Sequence, residues 1–571
     1  MKDSSAAGSS HIKDYRKTLN LMFERNQENF IPLESDKQKV LISCSYGDKR
    51  AATYAGTGNT IQTAYESARN TALKSIRESA AAPTWTCMSF VTKEEKVSKD
   101  EFYERVTKTR ANYYRYGIAL DEFYQAAFPE QELNGANLFD YKQEPVVLSN
   151  NRVTKLLRQK GIYNSKRVFA QEGVDNVIVF DAKACFFDTE KGEYHDLHTV
   201  GTEKGIRDFG IRDAGINSEF WLDQIEKTCG YLASTLKEDG SFIYGYFPCF
   251  GGIVPGYNMI RHVLSVLALI DCYEFFPDSV LMEKIKRAYE YVIREAYKEV
   301  DRECSVIVDH ANDDEIRLGA LGLAILMILK YSDLAGGGQQ LEAAKKLANF
   351  ILKMQDPQDG GFTHVLQYPD LSVKQKFKIV YYPGEACYGL MALYDREKDE
   401  RYLDACKRAF DYFIENDYHK YFDHWLAYAA NEVTKYAPED RIFEFGVKNA
   451  LGRIDYIIER ETTYATFLEM LNASRGLFER VGELGKDCLF DGYDTEKFYR
   501  AIDVRAKRQL EGVMFPETAM FFENPAQILY GVYIRHHSFR VRDDDVAHHL
   551  IGYCNYLKNS ALPGAICTGN Y

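Results

Sequence analysis

Tryptophan is scarce, at three residues in 571, and several kinds of run and motif are missing altogether. There is no long basic run, and the net charge is −13. That argues against a nucleic-acid or anionic-membrane partner. No stretch approaches eighteen consecutive apolar residues, so no membrane span is expected. The twelve cysteines are scattered without a CxxC pair, and no metal-ligand spacing appears. Neither structural zinc nor another metal is therefore expected, and no cofactor is implied. HExxH, EF-hand, Walker A and GxSxG patterns are all lacking. The stretch GTGNT (56–60) has no lysine and the wrong first-glycine spacing, so it reads as a turn. The opening MKDSSAAGSSHIKDY has no apolar core of a signal peptide. Reduced thiols in a cytoplasm are the expectation.

What is present is an ordinary globular composition, 46% apolar and 27% charged. The length suggests two to four domains. Aromatic residues make up 14%, with 41 tyrosines, a composition that suits clefts for sugars and other polar ligands. Residues 1–36 read as a partly ordered lead-in. Residues 37–210 mix strand and helix signals and read as an α/β domain of unassigned role. KVLISCSYG (39–47) and VDNVIVFDAKACFF (174–187) have β-branched strand character, and IQTAYESARNTALKSI (61–76) is an amphipathic helix.

From residue 211 to 571 strand signals nearly vanish. Twelve helices are predicted, at about 216–236, 257–275, 279–298, 314–333, 339–355, 384–396, 400–416, 423–436, 438–459, 464–480, 492–512 and 542–557. Two kinds alternate. LEAAKKLANFILKM (341–354) and YLDACKRAFDYFI (402–414) are amphipathic, as surface helices are. YNMIRHVLSVLALI (257–270), IRLGALGLAILMIL (316–329) and GEACYGLMALY (384–394) are apolar nearly all round and so buried on all sides. Gly319, Gly322 and Gly389 would let such helices approach closely. KEDGSF (237–242) and QDPQDGGF (355–362) supply glycine turns after outer helices. Six exposed helices alternating with six buried ones imply an (α/α)6 toroid, an inner ring inside an outer ring. The fold class expected is thus α+β: an N-terminal α/β domain, then a C-terminal all-α toroid.

In such a ring the inner helices run the same way, and their N-termini gather at one mouth. Polar groups near those ends are candidate site residues. Asn258, Arg261, His262 and Ser265 step i, i+3, i+4, i+7 as one polar stripe on the first inner helix. A wet lumen or a buried arginine–carboxylate pair would each explain it. His310, Asp313, Asp314 and Glu315 cluster before the second inner helix, where acids also serve as ordinary caps. Tyr382 and Glu385 open the third, and partial burial would raise the Glu385 pKa as a general acid requires. His424, Tyr428 and Asn431 share a face of the fourth. The fifth, ETTYATFLEM (461–470), is the least telling. The sixth region, YIRHHSFRVRDDDVAHHLIGYCNYL (533–557), holds Arg535, Arg542, Asp543, Asp544, Asp545, His548 and His549. Either Asp544–His548 or Asp545–His549, four apart, could orient an imidazole. A solvated run of charge is the bland alternative.

Together with this element order, YNMIRH, YYPGEA and RDDDVAHH resemble the (α/α)6-toroid carbohydrate-active enzymes, at the level of the class. These include glycoside hydrolases, polysaccharide lyases and the N-acylglucosamine 2-epimerase superfamily. The resemblance implies a carbohydrate substrate, an oligo- or polysaccharide, and the basic side chains at the mouth point to a carboxylated or phosphorylated one. A hydrolase would use Glu385 as general acid and Asp314 or Asp544 as base. Arg261, Arg535, Arg542, Tyr382, Tyr428, Asn258, His424, Asp545 and His549 would bind substrate or orient the workers. An epimerase would use His262 and His548 as the acid–base pair. The hydrolase is ranked slightly ahead. QDPQDGGF is similar to turns of triterpene cyclases, but the contiguous Asp543–Asp545 do not match a DxDD acid. A non-catalytic glycan- or protein-binding module is the remaining alternative. Oligomeric state is not readable.

Overall fold

The computed structural model describes residues 4–27, 30–79, 81–160, 162, 175–198, 211–212, 217–336 and 340–559. The chain divides into two compact units. The first comprises Met1–Gly215, Tyr246–Ile253 and Glu511–Val541. The second comprises Ile216–Gly245, Val254–Leu510 and Arg542–Tyr571. The chain thus crosses between units more often than a single boundary near residue 210 would have it.

The first unit is built on an antiparallel sheet. Its main path runs Ile211–Arg212, Glu193–His198, Asn176–Asp188, Trp85–Ser98, Gln38–Ser45, Ala52–Gly58. The strands predicted at 39–47 and 174–187 are there, and the helix predicted at 61–76 spans Ile61–Ser75. Because neighbouring strands run in opposite directions, this unit is α+β and not α/β in the strict sense. Residues read as a lead-in contain a 23-residue helix, Ser4–Asn26. Its Tyr15, Leu19, Met22 and Phe23 are buried with Ala64, Tyr65, Ala68 and Ala72 of the second helix and with Val40, Ile42, Met88 and Phe90 of the sheet. Apolar residues on one helical face earn that position.

The second unit carries the predicted series of helices, with the one predicted at 438–459 split in two. The inner ones are Met259–Tyr273, Leu318–Ala335, Tyr381–Glu397, His424–Tyr436, Thr466–Glu483 and Asp543–Asn559. Each packs on the next, and the sixth packs on the first, so the ring is closed. Outside them lie Ser218–Ser234, Ser279–Tyr291, Leu341–Met354, Glu400–Glu415, Asp440–Leu451 with Ile454–Glu459, and Thr495–Gln509. The alternation predicted from hydrophobic patterning is therefore the observed double layer. Outer helix Leu341–Met354 buries Ala344, Leu347, Phe350, Ile351 and Met354 and turns Lys345 and Lys346 to ion pairs with Glu397 and Glu299. Inner helix Leu318–Ala335 is buried along nearly its whole length. It has the length and hydropathy of a membrane span, but 72% of that window is inside the fold.

Two details fix the packing. A Cβ on Gly322 would stand 2.2 Å from the Glu385 carbonyl oxygen, and one on Gly389 would stand 2.5 Å from that of Gly322. The second and third inner helices touch backbone to backbone there, as the glycines suggested. Gly240 (φ +92°) and Gly360 (φ +81°) make the two predicted turns after outer helices, in a conformation that L side chains avoid.

The rim holds something the periodicity did not signal. Five short antiparallel strands, Tyr297–Glu299, Ser305–Asp309, Glu315–Arg317, Val365–Gln367 and Val373–Gln375, form a small sheet beside the second inner helix. The second inner helix accordingly begins at Leu318, not 314.

Candidate active site

The starts of the inner helices are tied to one another by polar contacts. On the first, the Asn258 side chain accepts from Arg261 N and caps the helix. Arg261 Nε lies 2.8 Å from Asp544 Oδ2 of the sixth helix. Arg542 also grips Asp544, with Nη2 at 2.7 Å, and lies 3.8 Å from Asp545. Burial would raise the Asp544 pKa, but these two guanidiniums outweigh it and lower it. Neighbouring Asp543 is buried and pushed well up by burial and by the Asp544 charge. The buried arginine–carboxylate pair and the wet-lumen reading of the first helix thus meet in one residue, Arg261.

Two neighbouring strands of the rim sheet, Ser305–Asp309 and Glu315–Arg317, add Asp309, Glu315 and Arg317. Asp309 accepts from Met259 N at 3.3 Å and from Arg317 Nη1 at 2.9 Å. Arg317 also donates to Glu315 at 2.7 Å. Tyr382 and Glu385 of the third inner helix face Gly319, where only a glycine leaves them room. Glu385 is buried, and its Oε2 has no hydrogen-bond partner. Burial first, and then the Asp423 charge, push its pKa up to about 8, against a smaller opposing pull from His548. A carboxyl in that state is a proton donor near neutrality.

The fourth, fifth and sixth helices meet at two histidines. The Asp423 carboxylate caps the fourth helix through Leu426 N at 2.9 Å. Its other oxygen lies 3.2 Å from His424 Nδ1, without hydrogen-bond alignment. His424 is buried, and its Nε2 has no partner. His548 Nδ1 lies 2.7 Å from Glu469 Oε1, and Glu469 is fully buried. Burial disfavours the imidazolium of His548, but the charges of Glu469, Asp544 and Asp545 prevail and raise its pKa. The two imidazole centroids are 5.2 Å apart at 76°. Trp425 stands beside both, with ring distances of 4.8 Å to His424 and 6.3 Å to His548. His424, Glu469 and His548 each offer a donor atom within 4.8 Å of the others, close enough for one metal ion. No metal-ligand spacing announced that group, because its members come from three helices.

Several predicted residues stand elsewhere. His262 points to the outer layer. Its Nε2 donates to Ala288 O at 2.9 Å and its Nδ1 accepts from Tyr257 at 2.7 Å. Burial lowers its pKa to about 4, so it is a neutral packing residue. His549 packs on Tyr553 at 4.3 Å, and burial lowers it to about 3. Asp314 is half exposed and bonds to His310 at 2.5 Å, whose Nε2 contacts Glu295 O on the outer side. Arg535 belongs to the first unit, where its Nε donates to Asn112 O at 2.7 Å. Tyr428 is stacked on Tyr388 deeper in the ring, at a small cleft that Asp271 and Lys330 also line. The site therefore keeps Arg261, Tyr382, Glu385, His424, Arg542, Asp544, Asp545 and His548 from the sequence reading. It gains Asp309, Arg317, Asp423, Trp425 and Glu469. The signal for Glu469 was a lone carboxylate within TFLEMLNASRGLF.

No family model and no curated protein matches the chain. Solved structures do. The chain is similar to a D-mannose isomerase, at 12% identity over 60% of this chain and 98% of that one, with a TM-score of 0.45. It is similar to the cellobiose 2-epimerase of Bacillus thermoamylovorans B4167, at 11% identity, 59% and 99% coverage and a TM-score of 0.45. It is also similar to an unsaturated glucuronyl hydrolase specific for heparin, at 12% identity, 60% and 98% coverage and a TM-score of 0.41. Likeness at this level assigns no reaction to the chain.

Proposed function

We propose that the toroid is a carbohydrate-active enzyme that moves a proton next to a sugar carbonyl, as an isomerase or epimerase. The observation that carries this reading is the imidazole pair, His424 and His548, with Glu469 behind one of them. Glu469 holds His548 Nδ1, so Nε2 is the nitrogen that takes and returns a proton. His548 removes the proton from the carbon beside the carbonyl. His424 gives a proton to the carbonyl oxygen, and an enediol forms. Arg261, kept in place by Asp544, supports the charge that develops on oxygen. Return of the carbon proton to the neighbouring carbon, with loss of the hydroxyl proton, makes the ketose. Return to the original carbon from the other face makes the epimer. Imidazoles lying side by side favour the first course. Relative to the sequence expectation, His424 replaces His262 as the second imidazole.

A hydrolytic reading keeps one specific support, the buried Glu385 with its pKa near 8. Of the bases expected from the sequence, Asp544 is held by two arginines and Asp314 by His310, whereas Asp423, whose charge acts on Glu385, keeps one oxygen without a hydrogen bond.

Incubation with reducing sugars in D2O, followed by NMR, separates the two. Deuterium entering the carbon beside the carbonyl, at a rate lowered at least 100-fold by His548→Asn and by His424→Asn, is expected. Release of new reducing ends from glycosides, abolished in Glu385→Gln and without deuterium exchange, would replace the isomerase with a hydrolase.

A further inference from the structure

Glu469 has an oxygen that the proton transfer leaves idle. Its Oε1 takes His548 Nδ1 at 2.7 Å, but its Oε2 is buried without a hydrogen bond. The residue is fully buried, where a carboxylate ordinarily satisfies both oxygens. His424 Nε2 is buried and unbonded in the same way. Two lone-pair donors thus face the inside of the ring beside a third, His548.

These donors are held by helices and not by loops. His424 is the first residue of the fourth inner helix, Glu469 lies in the first turn of the fifth, and His548 lies in the second turn of the sixth. The fifth helix packs against both of the others, so the packing of the ring sets the spacing. One donor atom from each residue lies within 4.8 Å of the other two. Bonds of about 2.0–2.1 Å put the donors of a tetrahedral ion roughly 3.4 Å apart, so side-chain shifts of about 1 Å would gather the set.

The surroundings suit a cation. Asp423 Oδ2 stands 3.2 Å from His424 Nδ1. Its charge favours a proton on that nitrogen and leaves the Nε2 lone pair for an ion, as carboxylates behind ligand imidazoles do. Arg261 and Arg542 spend their charge on Asp544. The His548 side chain is 19% exposed, which gives an ion from solvent a way in. Two imidazoles and one carboxylate match Zn2+, Co2+ or Ni2+, whereas Mg2+ and Ca2+ take oxygen ligands.

We propose that His424, Glu469 and His548 form an inhibitory site for a divalent transition-metal ion of the zinc class. The site rests on the donor geometry, and the inhibition rests on the isomerase reading. Whichever nitrogen of His548 the ion takes, the base is lost. At Nε2 the ion occupies the lone pair that would accept the substrate proton. At Nδ1 it displaces the proton shared with Glu469, and the neutral ring then carries its proton on Nε2. His424, ligated through Nε2, can no longer donate from that atom. Any proton expelled from the ligands passes to solvent.

The test is calorimetric titration of the metal-free full chain with Zn2+. One ion per chain is expected, with a Kd of about 1 μM or tighter. His424→Asn and Glu469→Gln should each weaken it roughly 100-fold or more. Co2+ in the same place should give the visible bands of nitrogen and oxygen ligation, and these bands decide the matter should either variant fail to fold. No binding, binding that survives both substitutions, or the intense near-ultraviolet band of a cobalt thiolate would overturn the site. In the deuterium-exchange assay Zn2+ should stop exchange and EDTA should restore it. Exchange unchanged or raised by bound Zn2+ would overturn the inhibition. Zn2+ binding at these residues in a protein that exchanges no sugar would sink the isomerase reading alone. Exchange in a protein that binds no Zn2+ would sink the metal site alone.

Discussion

At the residue scale, adjacent positions on one inner helix have opposite fates. Successive residues differ by about 100° around a helix axis. Arg261 reaches Asp544 across the mouth, and the next residue, His262, is bonded to the outer layer. His548 meets Glu469, and the next residue, His549, packs on Tyr553. A sequence shows such neighbours as one polar cluster, and only the rotation of the helix in its ring separates worker from packing. Glu469 supplies the sharpest test. Because its charge raises the His548 pKa, the base loses its proton at higher pH than an ordinary histidine does. Activity should therefore rise with pH along a limb displaced upward from that of an ordinary histidine. Glu469→Gln removes the charge, so that limb should move to lower pH, with kcat reduced roughly tenfold or more. A pH–rate profile in which the limb stays in place would exclude His548 as the base.

At the element scale, the helices were legible and the strands of the second unit were not. Apolar residues all round a helix can only mean burial all round, so the inner ring follows from hydrophobic pattern alone. The rim strands are three to five residues long, too short for alternation to be distinguished from loop. They nonetheless deliver Asp309, Glu315 and Arg317. The glycine contact between the second and third inner helices makes a quantitative prediction. Gly322→Ala places a methyl group against the Glu385 backbone and should cost about 1–3 kcal/mol of stability. Gly230→Ala, on an outer helix with nothing within 4 Å of the new Cβ, should be neutral or stabilising by up to about 1 kcal/mol. Denaturant unfolding of both variants checks the contrast.

At the scale of the whole molecule, the last inner helix closes the ring. The chain leaves the second unit at Leu510, contributes Glu511–Val541 to the first, and returns as Asp543–Asn559. A protein ended at residue 510 would lack the helix that packs between the first and fifth inner helices, and its apolar flanks would face water. Such a chain should be recovered in aggregates, and size-exclusion chromatography of the soluble fraction measures this. A monomeric, helical product of that length would show that closure is dispensable.

Local chemistry determined much of this. Periodicity of 3.6 set the helices, the alternation of amphipathic and wholly apolar segments set the two layers, and glycines marked their turns and closest approach. Those signals are readable because each depends on residues within a few turns of one another. Which acids pair with which imidazoles depends instead on side chains that lie far apart along the chain, such as Glu469 with His548 and Arg261 with Asp544. Tertiary structure decided those pairings, because ring closure and the rotation of each helix about its axis set the distances on which electrostatics and hydrogen bonding act.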